Sequence, residues 1–475
     1  MKNYFLILFY LTNVLISRAQ DSISIGDKYL SVADMHDDLQ FLRKKLTKYH
    51  PDPYKYISKD SLKLFEQQLK SQIDTGLTQT QFRFYVRQFV QKIGCGHTAE
   101  SSPNKKNIKV SRPILPIDII ISRNKLFVSK TQLNDSIIQK GNEVISINGI
   151  QSDSILKTIR SISFSDGRNT TFKEKTIQRK QFKYFFSFAF GYKSEYNLKI
   201  KNTNNQEQEL SVKGIDSKTD TFVYGRTRYY NAIHAQAKCV LYKDSVNPNI
   251  YVMDINKFQG KKWRKFMRRS FRTLRKEKAE HLVIDLRENG GGSIMKGIYF
   301  LRHLVKKPFA IGIDRKINLL PINPELKMSF WQRLTPVMFL AMPTTLPRHW
   351  KLRHYFIGIP KLHNRYKGKV YVIINGGSFS MSAVACSYLK YKGNAVFIGE
   401  ETGGNMVGSN AMNNARLILP KSKIQITIPL YHLYYNTKQK NTGHGIMPDY
   451  PVFYGTNDLL NNTDLEIKTV RELVK

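Results

Sequence analysis

Val370-Tyr-Val-Ile-Ile374-Asn-Gly376-Gly377-Ser378-Phe-Ser380-Met-Ser382-Ala383 starts as an apolar strand, runs into two glycines and small hydroxyl residues, and continues helix-like to Lys390. A strand, a tight turn and a helix start form the geometry that lifts a nucleophile off a sheet. The helix N-terminus adds free N–H groups and the positive end of a dipole. Ser380 is the candidate nucleophile. Ser378 and Ser382 compete with it, and a plain serine N-cap is the alternative use of the same pattern.

A second stretch, His281-Leu-Val-Ile-Asp285-Leu-Arg287-Glu-Asn289-Gly-Gly-Gly292, is another apolar strand that ends in three glycines ahead of a helix-like run. Consecutive glycines let backbone N–H groups approach a ligand, which is how an oxyanion site is made in acyl transfer. A third stretch reads Gly399-Glu400-Glu401-Thr402-Gly-Gly404-Asn405.

Taken in this order, the three resemble the tail-specific (C-terminal processing) peptidases of family S41 and their tricorn relatives. Asp285, Arg287, Asn289 and Gly290–Gly292 match that family's Asp-x-Arg-x-Asn-Gly-Gly-Gly. Gly376, Gly377, Ser378 (for Thr) and Ser380 match Gly-Gly-Thr-x-Ser, and Gly399, Thr402 and Gly404 match Gly-x-x-Thr-x-Gly. The resemblance implies an α/β multidomain fold whose catalytic domain is a ClpP/crotonase-like spiral of ββα units. It also implies a serine peptidase acting on proteins or peptides through an acyl-enzyme on Ser380, with the N–H groups of Gly290, Gly291 and Met381 holding the oxyanion.

A serine needs a neighbour to take its proton. Many tail-specific peptidases use a lysine just after the third motif; Asn405 stands there, and an asparagine is no base. His97, in Gly94-Cys-Gly-His97-Thr98, resembles the histidine base of the tricorn-like branch, and a neutral imidazole suits proton transfer near neutral pH. That branch places a serine before the histidine, where this chain has Gly96, and an orienting glutamate where Thr442 and Gly443 stand. Glu400 or Glu401 is the candidate to orient the ring instead, and His444 is the second candidate base. The competing account is a catalytically inactive peptide- or ligand-binding relative on the same fold.

Around these motifs the chain divides into four parts. Residues 1–19 carry a charged start, a short apolar run and Ser17-Arg-Ala19, the pattern of a cleaved secretory leader, which predicts export to a periplasmic or extracellular location,. Residues 28–105 predict a helical domain. Its third helix ends at Gly94, a C-cap signal that leaves His97 on a loop. Residues 113–215 read as β-rich, and Gly141-Asn-Glu-Val-Ile-Ser-Ile-Asn148-Gly149 resembles the hallmark of PDZ domains. The alternation of Phe182, Tyr184, Phe186, Phe188 and Phe190 predicts a half-buried strand there. Residues 245–456 form the predicted catalytic domain, with a proline- and aromatic-rich insert at 306–367 that suits a lid, a membrane-facing patch or a dimer contact.

The formal net charge is +40 over 475 residues. The basic residues run along the whole chain with no nucleic-acid motif, which favours an anionic envelope surface over nucleic acid as a partner. They crowd one face of the helix predicted at 261–278, including Arg264, Lys265, Arg268, Arg269 and Arg272. Cys95, Cys239 and Cys386 have no metal-ligand spacing, and neither do His349, His354 and His363, so no metal or cofactor is expected,.

Overall fold

The computed structural model of the chain describes residues 28–101, 111–133, 138–178, 181–220, 232–315, 325–340, 344–345, 353–361, 365–437, 439–455, 457–458, 461 and 463–475. The leader-like residues 1–19, His349, His363 and much of 306–367 lie outside the described residues.

Three helices come first: α1 (Val32–Tyr49), α2 (Lys59–Ser71) and α3 (Gln79–Gln91). Each begins on a hydroxyl cap, since Ser31, Ser58 and Thr78 accept backbone N–H groups of the first turn. Gln81 completes a capping box on Thr78,. Apolar residues at helical spacing, such as Leu39, Leu42 and Leu46 or Phe82, Val86 and Phe89, are fully buried. They do not close a core of their own. They join Leu282, Ile284, Val372 and Leu417 of the later strands in one contiguous apolar cluster. The chain then turns through Gly94–Thr98 into β1 (Ala99–Ser101).

The next segment holds β2 (Ile117–Ser122), β3 (Lys125–Thr131), β4 (Glu143–Ile147), α4 (Ser152–Ser161), α5 (Thr171–Ile177), α6 (Gln181–Phe190), β5 (Glu195–Lys201) and β6 (Glu207–Lys213). Its antiparallel sheet has the order β6-β5-β4-β3-β2 and covers a separate core. The strand expected across Phe182–Phe190 is instead helix α6. Phe185 is the reason: it breaks the alternation, while Phe182, Phe185 and Phe186 fall on one helical face and are buried together,. From the same helix Lys183 buries its ammonium between Asp118 (2.9 Å) and Asp220 (3.1 Å).

The C-terminal body contains β7 (Ala232–Gln236), β8 (Cys239–Lys243), β9 (Ile250–Ile255), α7 (Trp263–Lys276), β10 (His281–Asp285), α8 (Ile294–Leu301), β11 (Phe309–Arg315), β12 (Arg353–Gly358) and β13 (Lys369–Ile374). It continues with α9 (Met381–Lys392), β14 (Val396–Gly399), β15 (Gly408–Ala411), β16 (Ala415–Ile418), β17 (Gln425–Ile428), β18 (Tyr431–Tyr435), β19 (Tyr450–Pro451) and α10 (Leu465–Val474). The main sheet has the order β7-β8-β9-β10-β13-β14-β19, parallel from β9 onward. Its central strands are buried on both faces, as parallel strands under helices must be,. Asp285 pairs with Ile373, so β10 and β13 deliver their C-terminal turns side by side. The carboxyl ends of parallel strands are where such sheets bind ligands.

Besides the shared core, a strand pairing and a carboxylate hold the N-terminal helices to this body. Strand β1 adds to β17, with Ala99 opposite Thr427 and Ser101 opposite Gln425. Asp38 of α1 accepts the N–H groups of Lys421 (3.0 Å) and Ser422 (2.7 Å). Residue 97, two positions before β1, is thereby held against the C-terminal body. Among the described residues no helix is long and apolar enough to cross a membrane.

Candidate active site

The turn from β13 to α9 is strained. Ser380 is the N-cap of α9 at φ 56 and ψ −124, a conformation L-residues adopt only when their surroundings impose it,. The surroundings are visible. Ser378 Oγ donates to Leu286 O (2.8 Å), Phe379 N–H to Asn289 O (3.0 Å), and Asn375 Oδ1 accepts both Gly377 N–H (2.9 Å) and Glu288 N–H (3.0 Å). The elbow is thus tied to the turn after β10. Ser378 and Ser382 are fully buried, and of the three serines only Ser380 is partly open.

The glycine turn meets the elbow closely. A Cβ on Gly291, whose φ is +98, would stand 2.7 Å from Ser380 Cβ and 2.8 Å from Met381 N, so only glycine permits the approach,. The oxyanion group expected from sequence needs one correction. Gly291 N–H donates to Asn289 Oδ1 (2.9 Å) and is engaged inside its own turn. Gly290 is exposed, with open space above it. Met381 is the first residue of α9, so its N–H lies outside the helical ladder,.

His97 arrives from the opposite side, with Nε2 3.2 Å from Ser380 Oγ. Its ring stacks on Phe379 (centroids 4.7 Å apart), which stacks on Phe172 (4.4 Å). Behind it lies a residue that the sequence reading did not single out. Asp166, in the loop after α4, is buried, and its Oδ1 accepts Gly96 N–H (2.7 Å) across 70 residues of chain. Gly167 N–H donates to Gly94 O and Arg168 N–H to Gly443 O, each at 2.9 Å, so this loop wedges between the His97 turn and the 441–445 turn. Burial pushes the His97 imidazole below its usual range, toward the neutral form a base needs, and the Asp166 charge opposes that shift,. Burial likewise pushes Asp166 upward, opposed first by His97 and then by the Gly96 N–H. His97 Nδ1 and Asp166 Oδ2 are both buried with no hydrogen-bond partner among the described residues.

The expected orienting residues have other partners. Glu400 pairs with Lys175 (3.1 Å). Glu401 Oε1 accepts Gly445 N–H (2.7 Å) and lies 3.2 Å from His444 Nδ1. The carboxylate facing His97 is that of Asp166, because the 166–171 loop takes the position between the two turns and bonds the backbone of this segment: Asn169 Nδ2 donates to Thr402 O and Thr171 Oγ1 to Glu401 O, each 2.9 Å. Asn405 is buried, and its Nδ2 donates to Tyr56 Oη (3.0 Å) and Asn441 Oδ1 (2.9 Å). The Asp285–Arg287 pair is structural: the Arg287 guanidinium bonds Asp285, Asp464 and Glu466, each at 2.8 Å, and so fastens α10 to the sheet,.

The family profile of peptidase family S41 matches residues 249–452. No curated protein sequence matches the chain. Among solved structures the chain is similar to mature CPAF, at 14% identity and a TM-score of 0.64 over 93% of this chain and 97% of that one. It is also similar to mature CPAF complexed with lactacystin, at 14% identity and a TM-score of 0.65 over 93% and 98%. The photosystem II D1 C-terminal processing protease follows at 13% identity and a TM-score of 0.40 over 88% and 93%. At such identities the likeness concerns the fold.

Proposed function

We propose that this member of peptidase family S41, whose family domain spans residues 249–452, is an exported serine-type endopeptidase that works through an acyl-enzyme on Ser380. The family profile supports a peptidase; the serine chemistry rests on the site. The observation that carries the reading is His97 Nε2 at 3.2 Å from the hydroxyl of a serine held at φ 56.

In this mechanism neutral His97 accepts the Ser380 proton as Oγ bonds to the substrate carbonyl carbon. The Met381 and Gly290 N–H groups hold the oxygen that gains charge. The imidazolium then returns its proton to the leaving amine. Asp166 acts as a positioning residue, because its buried carboxylate favours the imidazolium as that ion forms and holds the turn that carries His97,. Water reverses the sequence on the acyl-enzyme. The catalytically inactive alternative rests on the missing lysine and glutamate; the His97–Ser380 contact and the buried Asp166 beside the His97 turn favour the active reading.

A fluorophosphonate probe tests this reading. It should label the purified protein at Ser380 and fail on the His97→Ala variant. An unlabelled wild-type protein would return the site to the inactive alternative. Export is tested separately, by N-terminal sequencing of material from an exporting host. The chain should begin at Gln20, and a chain beginning at Met1 would overturn that part.

A further inference from the structure

The catalytic reading does not use α7. Half of that 14-residue helix is Arg or Lys, and it contains no Asp or Glu. Trp263, Phe266, Met267, Phe271 and Leu274 are buried, while Arg264, Lys265, Arg268, Arg269 and Arg272 are exposed on the other side. Among the described residues these five have no ion pair. The arrangement works against the helix itself. Arg264 with Arg268, Lys265 with Arg269 and Arg268 with Arg272 are like-charge pairs one turn apart. Arg264 and Lys265 also sit in the first turn, where the dipole favours acids, and that turn has none,. An ordinary solvated face mixes the two signs.

The surface continues onto α8 and the end of β12. Trp263 Nε1 donates to Lys296 O (3.1 Å). The Arg264 guanidinium lies over the Tyr299 ring (5.7 Å), and Lys361 Nζ lies over the same ring (4.7 Å). Arg302 Nε donates to Ile359 O (2.6 Å). On the same elements stand exposed apolar side chains, Met295 of α8 at 55%, Ile357 of β12 at 52% and Ile359 just past it at 60%. At the far end of α7 Glu277 pairs with Lys243 (3.0 Å).

We propose that this face docks the protein on an anionic lipid bilayer. The cations match the charge of lipid headgroups, and the aliphatic side chains between them suit the headgroup–acyl boundary. Cations alone would serve the phosphates of a nucleic acid; the exposed isoleucines add nothing there and favour a bilayer. Docking does not depend on the peptidase reading, because no residue of the face belongs to the Ser380 site.

The test is co-sedimentation of the full chain with vesicles of phosphatidylcholine alone or mixed with phosphatidylglycerol. The wild type should bind the mixed vesicles, ignore the neutral ones, and release as salt rises. Arg264→Gln/Arg268→Gln/Arg272→Gln should lower the partition constant about a hundredfold, roughly fivefold per charge removed. Ile357→Ser/Ile359→Ser should lower it about tenfold while leaving heparin binding unchanged. Wild type and variants are prepared as the same chain, so undiminished binding of the triple variant would place attachment elsewhere on the protein and overturn the proposal. An Ile357→Ser/Ile359→Ser variant that binds vesicles like wild type would mark the face as a general polyanion site, which also overturns it. Melting temperature, unchanged or slightly raised by the loss of like-charge pairs, and unchanged hydrolysis of a soluble peptide show that the variants are folded.

Discussion

The two halves of the candidate site are built in opposite ways. The nucleophile half is local: one strand, one turn and one helix within Lys369–Lys392, braced by the neighbouring turn of β10. The base half is assembled from distant pieces. The His97 turn follows α3, β1 pins it to β17, and Asp166 reaches it from a loop next to a different core. A local device stores its strain in its own backbone. A distributed one depends on how several segments dock, so it transmits small displacements to the ring that must move a proton.

The largest effect tests whether the halves act as one unit. Ser380→Ala and His97→Ala should each lower kcat/KM on an unfolded protein substrate by about 10⁴-fold or more, and the double variant should be little worse than either. If His97→Ala kept most of the wild-type rate, the base half would have no catalytic role and the comparison would collapse.

Asp166→Asn probes the distributed half alone. Asparagine still offers an oxygen to Gly96 N–H, so the variant removes charge while keeping that contact. A loss in kcat of about 10²- to 10⁴-fold is expected, as for other buried carboxylates behind a histidine base. The pH profile gives the sign. Burial already lowers the His97 pKa, and Asp166 opposes that shift. Without the carboxylate the pKa falls further. The base works only when neutral, so the acid limb of kcat/KM should move to lower pH while the plateau drops. A purely structural Asp166 would lower the plateau and leave the limb in place.

A smaller, mechanical effect is expected at Gly96. A Cβ there would lie 2.6 Å from Phe379 Cζ and 3.2 Å from Asp166 Oδ1. Gly96→Ala should therefore push the His97 turn off Phe379. Overpacking of this kind costs about 1–3 kcal/mol, and kcat should fall about tenfold through the displaced ring. Thermal melting and kinetics on one preparation separate the two losses.

The same contrast decides what could be read in the sequence. The elbow was legible because its residues are contiguous and each has a local reason: β-rich Val370–Ile374, then glycines, then a helix start. Helices α1 and α3 were legible from apolar spacing, and the end of α3 from Gly94. Helix α6 was misread because aromatic residues at every second position mask the helical set Phe182, Phe185 and Phe186. Asp166 carries no local signal. Asp166-Gly167 reads as a turn, and nothing in its neighbourhood points to a histidine 69 residues earlier until β1 and the 166–171 loop are docked. Arg287 was matched as a motif residue, but its partners Asp464 and Glu466 lie beyond 456, the end expected for the domain.

The smallest expected effect is the sharpest check on which carboxylate serves the base. Glu400 and Glu401 are the nearest acids to the third glycine motif in sequence, and His444 is the second histidine at hand. The structure pairs them with one another or with Lys175, and none has a hydrogen bond to His97 or Ser380. In Glu401→Gln an oxygen still accepts Gly445 N–H, and in His444→Ala only a half-exposed ring is lost. With the Gly445 contact kept in the one and a half-exposed ring lost in the other, each rate should change about twofold. Neither should move the acid limb of the pH profile: among the described residues neither side chain bonds His97, whereas the buried Asp166 carboxylate opposes the effect of burial on that ring. If Glu401→Gln shifted the limb as far as Asp166→Asn, the ring would be answering to the 400–405 loop, and the base half would be as local to the glycine motifs as the nucleophile is.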